Sequence, residues 1–305
     1  MAGAKGLSLC GVCRQLGYSK QAYYQSLSRK RAAGAQWQQI KQKVVAIRHQ
    51  LPRLGTRKLY KLLGEDFRQQ GLKIGRDGLF DLLRRESLLV VRKRKYVSTT
   101  DSRLWMRQYP NLVQGMEMNR PEQVWVADIT YLTTKQGYNY LHLVTDAYSK
   151  KIMGYKHSDN LEASTSLQAL KMAFNQRSYR QALIHHSDRG LQYCSRDYTG
   201  LLKEHNVSIS MTQNGSPYDN AIAERVNGIL KQEFGLDELF EDMQEAGKQI
   251  DESIALYNRL RPHTSNHYLT PDQMHRQQLL KPRTWHKKTT RKDSVPDGSL
   301  SSKQF

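Results

Sequence analysis

Val124-Trp125-Val126-Ala127-Asp128-Ile129-Thr130-Tyr131-Leu132 is an apolar and aromatic run interrupted by one carboxylate. β-Formers occupy both alternating faces of it. That is the pattern of a central strand covered on both sides, so the run places the chain in the α/β class. Residues 138–145 and 151–155 read as two more strands, joined by short turns at 135–137 and 147–150. Beyond them the periodicity alternates. Residues 162–174 read as helix, 182–185 as strand, 196–205 as helix and 207–211 as strand. Turn chemistry at Ser216-Pro217-Tyr218-Asp219-Asn220 then opens a helix, with Asp219 or Asn220 suited to cap it. Ile222, Val226, Ile229 and Leu230 form its buried stripe, and residues 236–257 continue as a longer helix. A three-stranded meander followed by alternating strands and helices predicts a mixed five-stranded sheet with flanking helices over residues 122–280.

Upstream the chain is basic. Residues 1–121 hold 25 Lys and Arg against 7 Asp and Glu, and the remainder holds 23 against 21, so the first part carries nearly all of the formal charge of +20. Such a module ahead of a nearly neutral one points to a polyanion, DNA or RNA. Residues 7–28 read as two short helices around Gly17-Tyr18, with Ser19 as N-cap. Residues 34–50 read as a third helix, through Trp37, Ile40, Val44 and Ile47. A second pair follows, with Leu59, Leu62 and Leu63 on a helix after Thr56, a turn at 71–77, and Leu79, Leu82 and Leu83 on the next helix. Both pairs have helix-turn-helix spacing, so residues 1–95 are expected to be an all-α DNA-binding region. Its candidate contacts are Lys20, Arg76, Arg84, Arg85, Lys93 and Arg94. Residues 96–121, with Pro110 and Pro121, read as a linker, and residues 281–305 as a basic tail without a core pattern.

Membrane and secreted classes find no support. No run approaches the length needed to span a bilayer, and the first residues lack the apolar core of a signal peptide. Three cysteines, Cys10, Cys13 and Cys194, suit a reducing cytoplasm and not a disulfide framework. Cys10 and Cys13 lack a second ligand pair nearby and read as small helix residues, not a zinc site.

Three carboxylates stand out. Asp128 lies mid-strand, where a bare charge costs several kcal/mol unless a cation or strong donors meet it. Asp188 ends the strand Ala182-Leu183-Ile184-His185-His186-Ser187-Asp188-Arg189-Gly190, with Gly190 expected to let the backbone turn, and sites in open α/β sheets form at such strand ends. Glu224 points away from the apolar stripe of its helix, as does Lys231 two turns on, in reach of a phosphate. Each has a plain reading: a hydrogen-bonded structural Asp, a turn Asp, a solvated helix face. Asp146 also ends a strand but sits in a tight hairpin, where a turn role suits it better. Gathered on one strand edge, the three acids would repel one another until a cation neutralised them. All-oxygen ligands select Mg²⁺ or Mn²⁺, and two such ions would serve phosphoryl transfer.

These residues carry a resemblance. The runs 124–131, His186-Ser187-Asp188-Arg189-Gly190-Leu191-Gln192-Tyr193 and Ser216 to Glu224 resemble the DDE signature of bacterial insertion-sequence transposases. The match points to the second open reading frame product of the insertion sequence three family, which shares its catalytic domain with retroviral integrases. There are 59 residues between Asp128 and Asp188 and 35 between Asp188 and Glu224; both intervals fit, and Lys231 holds the basic position seven beyond the glutamate. Tyr257-Asn258-Arg259-Leu260-Arg261-Pro262-His263 and Thr270-Pro271 resemble the family's C-terminal motif.

The resemblance implies an RNase H-like fold, with Asp128, Asp188 and Glu224 as catalytic metal ligands for two Mg²⁺ or Mn²⁺ ions. It implies a polynucleotidyl transferase that hydrolyses DNA at the element's 3′ ends, then joins the freed 3′-OH to a new phosphodiester. Expected partners are double-stranded DNA, both terminal repeats and target, and further copies of the chain on that DNA, in a bacterial cytoplasm at the nucleoid. The sequence shows no zipper heptads, which suits the second frame alone and makes the upstream-frame product a candidate partner. A non-catalytic regulator that binds element ends, and an RNase H-like nuclease or resolvase, are the competing functions.

Overall fold

The computed structural model of the chain describes residues 8–91, 109–213 and 221–283. The central strand, β1, spans Val124–Thr134. β2 (Gly137–Asp146) pairs with it antiparallel, and β3 (Ile152–Ser158) pairs antiparallel with β2. On the other side β4 (Ile184–Ser187) runs parallel to β1, and β5 (Ser208–Met211) parallel to β4. The resulting order, β3-β2-β1-β4-β5, is the RNase H-like arrangement.

Helices cover both faces. On one, Trp125, Ala127, Val144 and Met153 meet α5 (Ala163–Asn175) and α7 (Arg196–Glu204) through Ala169, Leu170, Tyr198 and Leu202. The short α6 (Leu191–Cys194) lies between β4 and α7. On the other, Leu132, Leu141 and Leu143 meet α8 (Ala221–Phe234) and α9 (Met243–Leu260) through Val226, Ile229, Ile250 and Ile254. Gly154 sets how closely α5 can lie. A Cβ there would stand 2.1 Å from the Ala169 carbonyl oxygen, so β3 offers bare backbone at that point.

Among the described residues the sheet holds six strands, not five. β6 (Leu239–Phe240) pairs parallel with Thr133 and Thr134. The helix expected from residue 236 starts at Met243 instead. Gly235, at φ +80°, ends α8, and the Asp242 carboxylate accepts from the Glu245 amide at 2.8 Å to begin α9. A two-residue strand is too short to show a period of its own.

Upstream, α1 (Leu9–Gln15) is followed by α2 (Lys20–Gln50), one helix where the sequence suggests two. Ser19 caps it as expected, accepting from the Ala22 amide at 3.0 Å. Gly34 costs only about 1 kcal/mol in a helix, and Ala32, Ala33 and Ala35 around it favour continuation. α3 (Thr56–Gln69) and α4 (Arg76–Arg85) flank Gly71, at φ +66°. Ile40, Val44, Leu59, Leu63, Leu79 and Leu83 bury their shared core. Within the expected linker, residues 109–118 lie along β5: the Leu112 amide donates to Ser210 Oγ, and Val113 and Met116 pack near Val124. The basic run 92–95, the turn 216–220 and the tail beyond 283 lie outside the described residues. Among the described residues no helix is long and apolar enough to cross a membrane.

The last described helix, α10 (Pro271–His275), is fastened through a histidine. His275 Nε2 lies 3.2 Å from Glu122 Oε1 and Nδ1 lies 3.5 Å from Asp146 Oδ2, and both acids are fully buried. Burial presses the imidazolium toward neutrality, but the bonds to Asp146 and Glu122 outweigh it and hold the pKa above 6.5. A value raised by folding stabilises in full below the unfolded pKa, and the contribution is lost as pH rises through the folded value. His275→Gln is therefore expected to lower Tm most in mild acid, by about 1–3 kcal/mol of stability, with a gap to the parent that narrows toward alkaline pH. Thermal melts of both chains between about pH 5 and pH 9 check this; a constant gap would assign the effect to packing alone.

Candidate active site

β1 is paired unevenly. β2 runs along its length, whereas β4 reaches only Val124–Val126 and β6 only Thr133 and Thr134. Among the described residues no strand pairs with 128–132 on that side, and Asp128 sits in that gap. Its Oδ1 accepts from the Ile129 amide at 3.0 Å, and its Oδ2 accepts from Asn227 Nδ2 at 2.7 Å.

Strand register brings the second acid alongside. Val126 lies opposite His186 in the parallel pair, and each stands two residues before its aspartate. Asp188 follows the last residue of β4 and accepts from the Gly190 amide at 2.9 Å through Oδ1. Gly190 does not serve as a turn residue with unusual backbone, since its φ is −60°. Its requirement is space: a Cβ would stand 3.0 Å from Asp188 Oδ1 and 3.1 Å from Gln192 Oε1. Arg189 donates from Nε to the Thr212 carbonyl at 2.7 Å and also to the Gln213 carbonyl, tying the exit of β5 to the end of β4.

α8 brings the third. Glu224 stands exposed in its first turn, Asn227 is buried one turn on, and Lys231 follows one turn later. Spacings of three and four keep them on one face, above β1. Lys231 Nζ stands 4.0 Å from the Tyr131 ring centroid. Burial lowers its pKa, against the pull of Asp237 and Asp128.

The charges are coupled. Burial, then the Asp188 carboxylate, pushes the pKa of Asp128 up to about 7; the bonds from Ile129 and Asn227 pull it back, and Glu224 adds a smaller push upward. Asp188 is raised by burial, partly offset by the Gly190 amide. The sequence-derived acids therefore form one electrostatic cluster, a half-buried pair with a glutamate at its rim. Among the described residues no three His, Cys, Asp or Glu side chains stand close enough to hold a metal ion. The chemistry of the donors, all oxygen and mutually repelling, suits a hard divalent cation, which would draw Asp128 back to the carboxylate form.

The remaining expected residues lie apart from this cluster. Arg76 pairs with Asp77 at 2.8 Å and Arg84 with Asp81 at 2.5 Å, all exposed, and Arg85 stacks on Trp37 at 3.7 Å. Lys20 is exposed at the first turn of α2. Lys93 and Arg94 lie outside the described residues. Asp146 is a turn acid, accepting from the Ser149 amide and hydroxyl at 2.8 and 2.5 Å. Sequence reading missed Asn227, which helical spacing from Glu224 could have singled out. It also missed Arg189, whose partners stand over 20 residues away and leave no local signal.

Residues 118–217 match a family described as Integrase core domain, and residues 205–271 match a second family of that description. An "Insertion element IS600 uncharacterized 31 kDa protein" of Shigella sonnei is 34% identical over 264 residues, covering 85% of this chain and 96% of its own. "Transposase InsF for insertion sequence IS3A" of Escherichia coli K12 is 34% identical over 219 residues, covering 71% and 76%. Among solved structures, the HTLV-2 integrase catalytic core in complex with magnesium aligns at 17% identity and a TM-score of 0.42, over 51% of this chain and 97% of that one. A chain of the simian T-cell lymphotropic virus intasome aligns at 17% and 0.46, over 78% and 81%.

Proposed function

Since the chain belongs to the insertion sequence three (IS3) family of bacterial transposases, we propose that Asp128, Asp188 and Glu224 are its catalytic acids and the ligands of divalent metal. The observation that carries this reading is Asp128, a carboxylate in a gap of the sheet, pushed up to about 7 by burial and by the two other acids. Two Mg²⁺ or Mn²⁺ ions held by these oxygens would activate the attacking oxygen and stabilise the leaving one in phosphoryl transfer. The chain's own residues do the positioning. Asn227 holds Asp128 Oδ2, the Gly190 amide holds Asp188 Oδ1, and Arg189 anchors the strand exit that leads toward α8. Lys231 supplies a cation on the same face for a DNA phosphate.

The reaction in this reading is hydrolysis at the 3′ ends of the element, followed by attack of each freed 3′-OH on a target phosphodiester. Two ends must be held at once, so copies of the chain assemble on DNA, with the upstream-frame product as a further candidate partner. A regulator that only binds ends would have no use for a half-buried pair of repelling acids. The test is to incubate the purified chain with a labelled duplex of the element end, with and without Mg²⁺. Joined products only with the metal are expected, and binding without any cleavage would leave the regulator.

End recognition is assigned to the N-terminal helices, through Lys20, Arg76, Arg84, Arg85, Lys93 and Arg94. The aspartate partners of Arg76 and Arg84 are no obstacle, because exposed pairs of this kind contribute little and can be exchanged for phosphate. Replacing Arg84 and Arg85 by Ala is expected to weaken binding and lower its salt slope by about one per lost phosphate contact. An unchanged slope, measured by titration over a range of salt, would place the DNA elsewhere.

A further inference from the structure

The tip of the β1–β2 hairpin holds two large rings in water. Tyr131 is 45% exposed and Tyr138 62%, with ring centroids 5.8 Å apart and planes nearly perpendicular. Strand pairing explains why they meet. Tyr138 lies opposite Thr133, two residues along from Tyr131 and on the same face. The opposite face of this hairpin, with Leu132 and Leu141, is buried under α8 and α9. Only the tyrosine face is open. Lys231 comes from α8 to stand over the Tyr131 ring, within the field of Asp237 and Asp128.

The position is as informative as the composition. Tyr131 is three residues along β1 from Asp128, about 10 Å at the rise of a strand, with the two side chains on opposite faces of it and Lys231 of α8 near both. That distance is about three base steps of a DNA strand. A cross-strand pair that only stabilised the hairpin would need no cation over its ring. A protein partner would call for a broader apolar patch; Tyr140, opposite Tyr131, is half-buried, and the other neighbours are Thr133, Lys135 and Gln136. An aromatic face beside a lysine that also feels the Asp128 carboxylate, in a chain of charge +20, fits a single strand of DNA.

We propose that Tyr131 and Tyr138, with Lys231, form a stacking platform for unpaired bases of the DNA end next to the scissile phosphate. This deepens the transposase reading and rests on it for the position of that phosphate. A base that takes the place of the ammonium over Tyr131 frees Lys231 to meet the phosphate one step along. The platform thus favours ends whose terminal pairs are open over ends that are fully paired.

The test uses the full chain in the absence of divalent metal, and a duplex end with three unpaired nucleotides carrying 2-aminopurine, whose fluorescence falls on stacking. The parent chain is expected to quench it. Tyr131→Leu combined with Tyr138→Leu should abolish the quenching and weaken binding of this duplex about tenfold, leaving a fully paired duplex unaffected. Tyr131→Phe with Tyr138→Phe keeps the rings and should retain both properties, which separates stacking from folding. Quenching and affinity unchanged in the leucine variant would overturn the platform. So would a change in the sedimentation of the free chain with quenching intact, which would make this face a contact between copies. No turnover is involved, so failure of the acid cluster in the Mg²⁺ joining assay would leave the quenching untouched, and loss of the platform would leave metal-dependent cleavage measurable.

Discussion

Asp188→Asn is expected to abolish metal-dependent cleavage and joining while binding of the DNA end persists. Asparagine keeps the shape of the side chain, and its amide oxygen can still accept from the Gly190 amide, a bond of 2.9 Å in the parent. The end of β4 therefore stays in place. What disappears is a charge. In the proposed reading a cation loses one of its oxygen ligands, and a loss of several kcal/mol in transition-state stabilisation corresponds to about 10³-fold or more in rate. A second consequence separates charge from shape. Among the groups that push Asp128 up to about 7, Asp188 ranks first after burial, so Asp128 in the variant should ionise at lower pH. Single-turnover joining, gel-shift binding and the Asp128 titration measured without metal give three independent readouts. Joining at the parental rate would remove Asp188 from the chemistry, and an unmoved titration would mean that the two acids are not coupled.

Glu233→Ala is expected to be the most damaging change outside the acid cluster. Glu233 lies on α8 and receives both Nε and Nη2 of Arg261, at 2.8 and 2.7 Å, and Lys58 Nζ from α3 at 3.1 Å. Arg261 is 1% exposed, so its guanidinium has little water to turn to. Removing the carboxylate leaves a buried guanidinium facing a half-buried ammonium, a situation worth about 3–5 kcal/mol of stability. Lys58 already registers the strain: burial first, then Arg261, lowers its pKa to about 8 even with Glu233 present. Urea unfolding of the variant should show the loss, and Lys58→Met in the same background should recover part of it. Acid should mimic the substitution. Burial pushes the Glu233 pKa up, but the bonds from Arg261 and Lys58 pull it below 4.5. Its contribution is therefore present above the unfolded value and lost as pH falls through the folded one. A loss below about 1 kcal/mol would mean that water reaches Arg261 after all.

The same residues separate what was legible in the chain from what was not. β1, the meander and the helices around the sheet follow from alternation and helical spacing, which need only a few neighbouring residues. The acids could be picked out for a similar reason: a carboxylate within an apolar strand or at a strand tip is anomalous in its own local context. The join between the two expected upstream helices and the two-residue β6 escaped that reading. In one case a helix runs through Gly34, and in the other pairing with Thr133 and Thr134 makes a strand of two residues with no pattern of their own.

By itself, then, the sequence determined which segments become strands and helices, where the basic charge lies, and which acids are out of place. Only the tertiary structure decided which of those groups meet. It set Asn227 on Asp128 across 99 residues of chain, Glu233 against Arg261 and Lys58, and Lys231 over an exposed tyrosine of β1. The physical reason is that propensity and periodicity act within a turn or a strand, whereas a pairing between distant side chains exists only once strand register and helix packing have placed both.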